Sequence, residues 1–331
     1  MEEIVMRRIF RLFLAVSFSV CAGVCASAAN AQNWPQRPIK IIAPFAAGGL
    51  ADVLARSVAD RISKPLGQPV LVENRTGAGG NVGADAVARA EPDGYTLLMS
   101  SAGILTINQF LYARMPFDAA TAFTPVTVVA DMPMLLAVRN EVAAKDVKEF
   151  IALTRSVPGG LFFGSPGNGT TGHLGMELFM HAAQVKLQHV PYKSAAEAVQ
   201  STLAGQTQAL FDNPPTVMAH IKVGTLRALG VAAKERMPQL PNVPTIHEAG
   251  VPGFEASSWF GLIAPAKTPV AVVERLRNEV AAALKDAEMQ SRFAASGARL
   301  VGNTPAQFAA LIGEDRARWE KVIAAAGIML Q

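Results

Sequence analysis

The stretch Leu161–Leu174, LFFGSPGNGTTGHL, determines how the rest of the chain is interpreted. An apolar, strand-like triplet leads into a loop with four glycines, and a helix-like segment from His173 to Gln184 follows. Glycine lets a backbone approach a ligand closely, and a helix N-terminus offers unpaired N–H groups and partial positive charge. The pattern therefore predicts an anion site. Because Ile39–Arg56 repeats the arrangement, we expect a small anion to bind between the two loops.

Length and composition predict a folded protein of about two domains, at the usual ~150 residues per domain. The chain has 331 residues, of which 50% are hydrophobic and 17% are charged, so it can build substantial cores. The net charge is +4, with the charges scattered. No cluster of Lys and Arg with interleaved aromatics indicates a nucleic acid partner.

The N-terminus has the pattern of a secretory signal peptide. Arg7, Arg8 and Arg11 precede the apolar run Leu12–Ala26, and Ala29-Asn30-Ala31 supplies an A-x-A cleavage site. We expect residues 1–31 to be removed after Ala31 and the mature protein to be exported. A membrane anchor is the alternative, although the run is short for one. Both cysteines fall inside this segment, so the mature chain has no disulfide and no thiol chemistry.

Strands and helices alternate after the leader. Predicted strands at Ile39–Ala43, Val70–Glu73 and Tyr95–Ser100 each end in a loop rich in small residues, and helices follow the first two loops. This alternation predicts a mainly parallel sheet flanked by helices, with ligands bound outside the carboxyl ends of the strands. The same alternation continues from Leu135 to Val231 and predicts a second α/β unit.

Three motifs of the first α/β stretch carry a family resemblance: Pro44–Asp52 (PFAAGGLAD), Val72–Gly83 (VENRTGAGGNVG) and Pro92–Leu98 (PDGYTLL). In this order they resemble the Bug (TctC-like) family of periplasmic solute receptors of tripartite tricarboxylate transporters. Val190–Lys193 and Phe211–Asn213 extend the resemblance, which runs from about Trp34 to the C-terminus. One departure is that Ala46-Ala47 precede Gly48-Gly49, where the family often has Pro-Gly-Gly. The resemblance does not identify the ligand.

The resemblance implies a two-domain, periplasmic-binding-protein-like clamp (type II-like), each domain a mixed, mainly parallel sheet flanked by helices. Domain 1 is expected to be discontinuous, from residues 32–130 plus 255–331, and domain 2 to span residues 131–254. The implied function is capture of a small organic acid for a membrane permease, by a protein that is expected to be a monomer, without a cofactor and without enzymatic activity.

Candidate ligand-binding residues lie in the strand-end loops of both units. They are Phe45, Ala46, Ala47, Gly49, Ser101, Ala102, Ser165, Gly167, Asn168, Gly169, Thr170, Thr171, Lys193 and Asp212.

The roles of some candidates stay open. The hydroxyl groups of Ser165, Thr170 and Thr171 can donate to a carboxylate or cap the helix. Asp212 either accepts from a ligand hydroxyl, amine or ring nitrogen, or braces a facing loop. Lys193 pairs with an anion or lies at the surface. Asp52 is interpreted as a cap that supports its loop.

Other classes of protein fit less well. Gly167–Gly172 matches G-x-G-x-x-G, but the next strand ends at Lys193 without the acidic residue that a dinucleotide site needs. His173 and Glu177 are spaced for one helix face, yet no His-Glu-x-x-His metal motif and no Gly-x-Ser-x-Gly elbow occurs. The alternatives that remain are glycines serving only a tight turn, a sensor component, and a secreted hydrolase or isomerase using Asp212 and His173.

Overall fold

The computed structural model describes residues 34–192 and 194–327, so the predicted leader and Lys193 lie outside it. The strands are β1 (Ile39–Ala43), β2 (Val70–Asn74), β3 (Thr96–Ser101), β4 (Phe123–Pro133), β5 (Leu135–Arg139), β6 (Leu161–Ser165), β7 (Leu187–Pro191), β8 (Ala209–Asp212), β9 (Leu226–Val231), β10 (Ser257–Pro265) and β11 (Arg299–Leu300). The α-helices are α1 (Leu50–Leu66), α2 (Asn81–Ala88), α3 (Asn108–Leu111), α4 (Val147–Ser156), α5 (Thr171–Ala183), α6 (Ala195–Leu203), α7 (Pro214–Lys222), α8 (Val270–Ala283), α9 (Ala287–Ala295) and α10 (Pro305–Ala326).

The strands form two mixed sheets, as predicted. The six-stranded sheet has the order β11-β4-β10-β3-β1-β2, and the five-stranded sheet has the order β7-β6-β8-β5-β9. In the first sheet β1, β2, β3 and β4 run in one direction and β10 and β11 oppose them. In the second sheet only β5 opposes its neighbours. We refer to each sheet with its packed helices as the first and the second lobe.

Apolar clusters cover both faces of both sheets. In the first lobe, α1 and α8 pack on one face through residues such as Leu54 and Leu276, and α2 and α10 pack on the other, where Phe308 meets Trp259. In the second lobe, α4 and α5 cover one face and α6 and α7 cover the other. Helices on both faces hold the carboxyl ends of the parallel strands at one edge of each sheet.

Within the described residues, the chain passes between the lobes twice, from β4 to β5 and from β9 to β10. Strand β4 passes almost directly into β5, and the N–H of Met134 donates to the carbonyl of Ala256 at 3.1 Å. The N–H of Ala256 donates to Ala232 at 3.0 Å, and the N–H of Ala232 donates to Met134 at 2.9 Å. The sequence did not predict β4 or this ring of three hydrogen bonds, because both depend on pairing between residues that are far apart in the chain.

An apolar cluster, which we call the seam, also joins the lobes. Its buried members are Ile107 just before α3, Leu111 of α3, Leu174 of α5, and Trp319, Val322 and Ile323 of α10. Leu174 belongs to the second lobe and the other members belong to the first. The seam therefore contributes apolar burial to this particular arrangement of the lobes.

Local signals explain the helix ends. The side chain of Asp146 accepts the N–H of Glu149 at 2.8 Å and caps α4. Pro305 occupies the first turn of α10, whose start has a Thr304–Gln307 capping box. Two helical segments were missed, α7 and the run from Gly103 to Leu111, which starts as a π-helical turn. No helix in the described residues combines the length and the apolar character needed to cross a bilayer.

Candidate ligand-binding site

A cavity of about 350 Å³ lies between the lobes, at the carboxyl ends of β1, β3, β6 and β8. Its lining residues are Phe45, Gly79, Ser101, Gly103, Ile107, Asn108, Leu111, Tyr112, Asn168, Gly169, Thr170, Thr171, Asn213, Ser258 and Phe260. None of these side chains carries a charge, so within the described residues an anion would depend on N–H and hydroxyl donors and on helix ends. The cavity is large enough for a small organic molecule.

The structure brings six of the predicted site residues together around this cavity. They are Phe45, Ser101, Asn168, Gly169, Thr170 and Thr171. Seven others do not line it: Ala46, Ala47, Gly49, Ala102, Ser165, Gly167 and Asp212. The last predicted residue, Lys193, lies outside the described residues.

In the glycine-rich loop after β6, side chains hold some backbone N–H groups and leave others without a partner among the described residues. The N–H of Gly167 is held by Ser165 Oγ at 3.1 Å, and the N–H of Gly169 is held by His173 Nδ1 at 3.0 Å. Thr170 caps α5, because its hydroxyl accepts the N–H of His173 at 3.4 Å while donating to the carbonyl of Gly167 at 2.8 Å. Within the described residues, the N–H groups of Asn168 and Thr171 form no hydrogen bond. Unpaired donors at a helix N-terminus suit a carboxylate.

The loop after β1 is arranged differently. Ala46 and Ala47 are exposed, and Gly49 caps α1 without a side-chain bond. Only Phe45 of this loop lines the cavity, together with Ser101 and Gly103 from the loop after β3. Of the two helix starts that were expected to flank the ligand, only that of α5 in the second lobe lines this cavity.

Asp52 braces this first loop, in agreement with its interpretation from sequence. Its buried carboxylate accepts the N–H of Gly48, the amide of Asn74 and the Nε–H of Arg56, each at 2.9 Å. The bond from Arg56, opposed in part by burial, holds the pKa of Asp52 below its ordinary value. The Asn74 amide also donates to the carbonyl of Phe45 at 3.0 Å, which fixes the backbone of the cavity-lining residue.

We expect Asp52→Ala to lower the free energy of unfolding by about 2 kcal/mol, because the donors on Gly48, Asn74 and Arg56 all lose one buried acceptor. Urea unfolding followed by circular dichroism measures this. The matched control is Asp85→Ala, which removes another Asp–Arg pair four residues apart on a helix, with Arg89 71% exposed. An exposed pair contributes at most about 1 kcal/mol, so equal losses in the two variants would contradict the bracing role.

Many residues of the first lobe that line the cavity were not predicted from the sequence. Asn108 donates to Asn81 Oδ1 at 2.7 Å and to the carbonyl of Gly79 at 3.2 Å, and it lines the cavity beside Tyr112. A polar residue inside the apolar run Ile104–Leu111 was a usable signal, because a buried Asn needs partners. Ser258 and Phe260 gave no such signal, since they reach the cavity only because β10 returns beside β3.

Asp212 and Asn213 lie at the end of β8. The Asp212 carboxylate is 5% exposed and accepts the N–H of Asn213 at 2.7 Å, and burial raises its pKa to about 6. Asn213, not Asp212, lines the cavity, and its Oδ1 is buried without a partner in the described residues. The bond joins Asp212 to the next residue of its own chain, and it holds the backbone at Asn213, which lines the cavity.

The description of the matching family model is "Tripartite tricarboxylate transporter family receptor", and the match covers residues 54–328. The chain belongs to this family. It is therefore a solute-binding receptor, in agreement with the resemblance seen in the sequence. A curated relative, Protein BugT of Bordetella pertussis, is 35% identical over 322 residues, which cover 97% of this chain and 99% of the relative.

Two solved structures of family proteins are similar to this chain and were determined with an acid. The R. palustris protein Rpa4515 with adipate has a TM-score of 0.77 and 38% identity, over 90% of this chain and all of that one. MatC from Rhodopseudomonas palustris with bound malate has a TM-score of 0.74 and 33% identity, over 88% of this chain and all of that one. Receptors of this family thus have the same two-domain fold as this chain.

Proposed function

We propose that this receptor captures a small carboxylate-bearing ligand between its two lobes and delivers it to the membrane permease of a tripartite tricarboxylate-type transporter. One observation carries the proposal: among the described residues, the N–H groups of Asn168, in the loop before α5, and of Thr171, its first residue, have no hydrogen-bond partner, and both residues line a cavity whose described side chains carry no charge. Such donors can bind a carboxylate without a fixed countercharge. Two similar receptors that were solved with dicarboxylates support this ligand class.

The lobes are proposed to close on the ligand. In this proposal residues 32–130 with 255–331 form one domain and residues 131–254 form the other, and the segments that contain Met134, Ala232 and Ala256 serve as the hinge. A ligand that contacts both walls of the cavity stabilises the closed state more than the open state, and so shifts the equilibrium between them. The permease would then recognise the closed form.

The remaining features follow from this role. We propose cleavage after Ala31, export to the periplasm and a monomeric receptor that binds without turnover. The absence of turnover is supported by the positions of the two residues considered for hydrolysis. Nδ1 of His173 accepts a backbone N–H, and neither His173 nor Asp212 lines the cavity.

The test is a thermal-shift screen of residues 32–331 with adipate, malate and the corresponding diamides. A ligand at 100 times its Kd adds about 2.7 kcal/mol of stability. We expect at least one acid to raise the Tm and its uncharged amide to leave it unchanged. Equal Tm shifts from an acid and its amide would show that the N–H donors do not distinguish a charged carboxylate from a neutral amide. Mass spectrometry of the denatured protein, run in parallel, detects an acid carried over from expression, and the screen is repeated after its removal.

A further inference from the structure

Two histidine rings are stacked beneath the glycine-rich loop, outside the cavity wall. The centroids of His173, on α5, and His189, on β7, lie 3.8 Å apart with 9° between the ring planes. The ring of Phe163 lies near both histidines, with its centroid 4.8 Å from that of His189 and 6.2 Å from that of His173. His173 is 5% exposed, and the two residues meet only because β6 and β7 pair in parallel. The rings therefore form a fixed, packed support for the loop above them.

Each ring holds one residue of the loop. Nδ1 of His173 accepts the N–H of Gly169 at 3.0 Å, which requires that its proton sits on Nε2, 3.5 Å from Glu177 Oε1. Nε2 of His189 is hydrogen-bonded to Ser165 Oγ at 2.6 Å, and this hydroxyl oxygen accepts the N–H of Gly167 at 3.1 Å. The pair thus fixes the peptide groups of both glycines, one directly and one through Ser165.

The glycines of the loop need this support. Gly167 has a φ of 129° and Gly169 has a φ of 73°, so both occupy backbone regions that are open to glycine and that leave an unsupported loop mobile. Binding to a mobile loop carries the entropic cost of ordering it, whereas binding to a preorganised loop avoids that cost. Because the N–H groups of Gly167 and Gly169 are used inside the loop, the N–H groups of Asn168 and Thr171 are the ones that remain for a ligand among the described residues of the loop.

We propose that His173 and His189 are positioning residues for ligand binding: they anchor Gly167 and Gly169 so that the N–H groups of Asn168 and Thr171 are held ready for the carboxylate. The inference rests on the proposed function, because it takes the ligand group at the start of α5 to be a carboxylate. In this proposal both histidines increase the affinity for the ligand without contacting it.

The groups that face the two rings come from α5 and β6. Glu177 accompanies His173 on α5, Ser165 and Phe163 contact His189 from β6, and His173 faces His189 directly. Burial, and then the neighbouring His173, lower the pKa of His189 to about 4. Near neutral pH this ring therefore stays uncharged, and its bond to Ser165 is undisturbed.

The test compares two substitutions of His173. Asparagine can place Oδ1 where Nδ1 accepts the Gly169 N–H, whereas phenylalanine keeps a stacked ring without an acceptor. We expect His173→Asn to bind adipate within about threefold of the unmodified protein, and His173→Phe to bind at least tenfold more weakly while remaining folded. The matched control is His247→Phe, because Nδ1 of exposed His247 also accepts a glycine N–H, that of Gly253 at 2.8 Å, away from the cavity. Its adipate affinity should not change.

A ligand-free measurement separates this inference from the proposed function. Nitrogen-15 NMR of the histidine side chains should show His173 as the neutral Nε2–H tautomer, and the Gly169 amide signal should shift in His173→Phe and be restored in His173→Asn. An Nδ1–H tautomer, or unchanged adipate affinity in folded His173→Phe, overturns the inference. If adipate does not bind the unmodified protein, the proposed function loses adipate as a ligand, and the NMR result alone decides the inference.

Discussion

Replacing Asp212 by asparagine is expected to stabilise the ligand-free protein by about 3 kcal/mol at pH 7.5 and to have little effect at pH 4. The carboxylate is 5% exposed, and its hydrogen bond from the N–H of Asn213 is its only one among the described residues. Burial raises its pKa from 3.8 to about 6, so an ionised Asp212 is costly in the folded state. Asparagine can keep the bond to Asn213 without the charge.

The sign of the pH dependence follows from proton binding. Between about pH 4 and pH 6 the folded state keeps the Asp212 proton while the unfolded state releases it, so the stability of the unmodified protein falls as pH rises through this window. Asp212→Asn removes this slope. Urea unfolding at pH 4, 5, 6 and 7.5 gives both curves, and they should separate progressively above pH 4.

Asp118→Asn is the matched control, because its linkage has the opposite sign. Asp118 is exposed, and bonds from the N–H of Ala120 and the hydroxyl of Thr121 hold the pKa of its carboxyl below the ordinary value. Its replacement should not stabilise the protein at any pH tested. A loss of stability in Asp212→Asn at pH 7.5 would show that a cation neutralises the carboxylate and that the bracing role is wrong.

Local patterns made much of the fold predictable. The bounds of α1 and α10 and the strand β9 agree with the periodicity of the sequence, because apolar spacing, caps and glycine stops act within a few residues. The return of the chain was not predictable from periodicity. Strand β10 inserts between β3 and β4, and this pairing joins residues more than a hundred positions apart.

The candidate site divides along the same line. The loop Asn168–Thr171 could be placed in the cavity from sequence, because its glycines and the following helix start are adjacent. The stacked support beneath the loop could not be predicted, because strand pairing has to bring His189 up from sixteen residues beyond His173. The loop after β1 is the converse case. Its local sequence pattern is similar, yet its residues Ala46, Ala47 and Gly49 do not line the cavity.

The other large effect is expected from the seam between the lobes. Trp319 is 3% exposed and packs in one cluster with Leu174 of the opposite lobe. Trp319→Ala should lower the free energy of unfolding by about 3–5 kcal/mol, through lost burial and a cavity. Because the seam exists only when α5 lies against α10, part of this loss should appear as separation of the lobes and not as unfolding.

Small-angle X-ray scattering distinguishes separation from unfolding. We expect folded, ligand-free Trp319→Ala and Leu174→Ala to have a larger radius of gyration than the unmodified protein, and a saturating acid to reverse the increase. Ligand affinity should fall as well, by tenfold for each 1.4 kcal/mol that the seam contributes to closure. Neither substituted side chain lines the cavity, so a weaker Kd would reflect the equilibrium between the lobes and not a lost contact.

Val270→Ala is the control, because it also shortens an apolar side chain but at a position 72% exposed to solvent. The free energy of unfolding of Val270→Ala should stay within about 0.5 kcal/mol of that of the unmodified protein. Its radius of gyration and its Kd for the acid should not change. Loss of stability in Trp319→Ala and Leu174→Ala without any change in radius or Kd would mean that the seam is ordinary core. Expansion that the acid reverses would identify it as the apolar contact that holds the two walls of the cavity at binding distance.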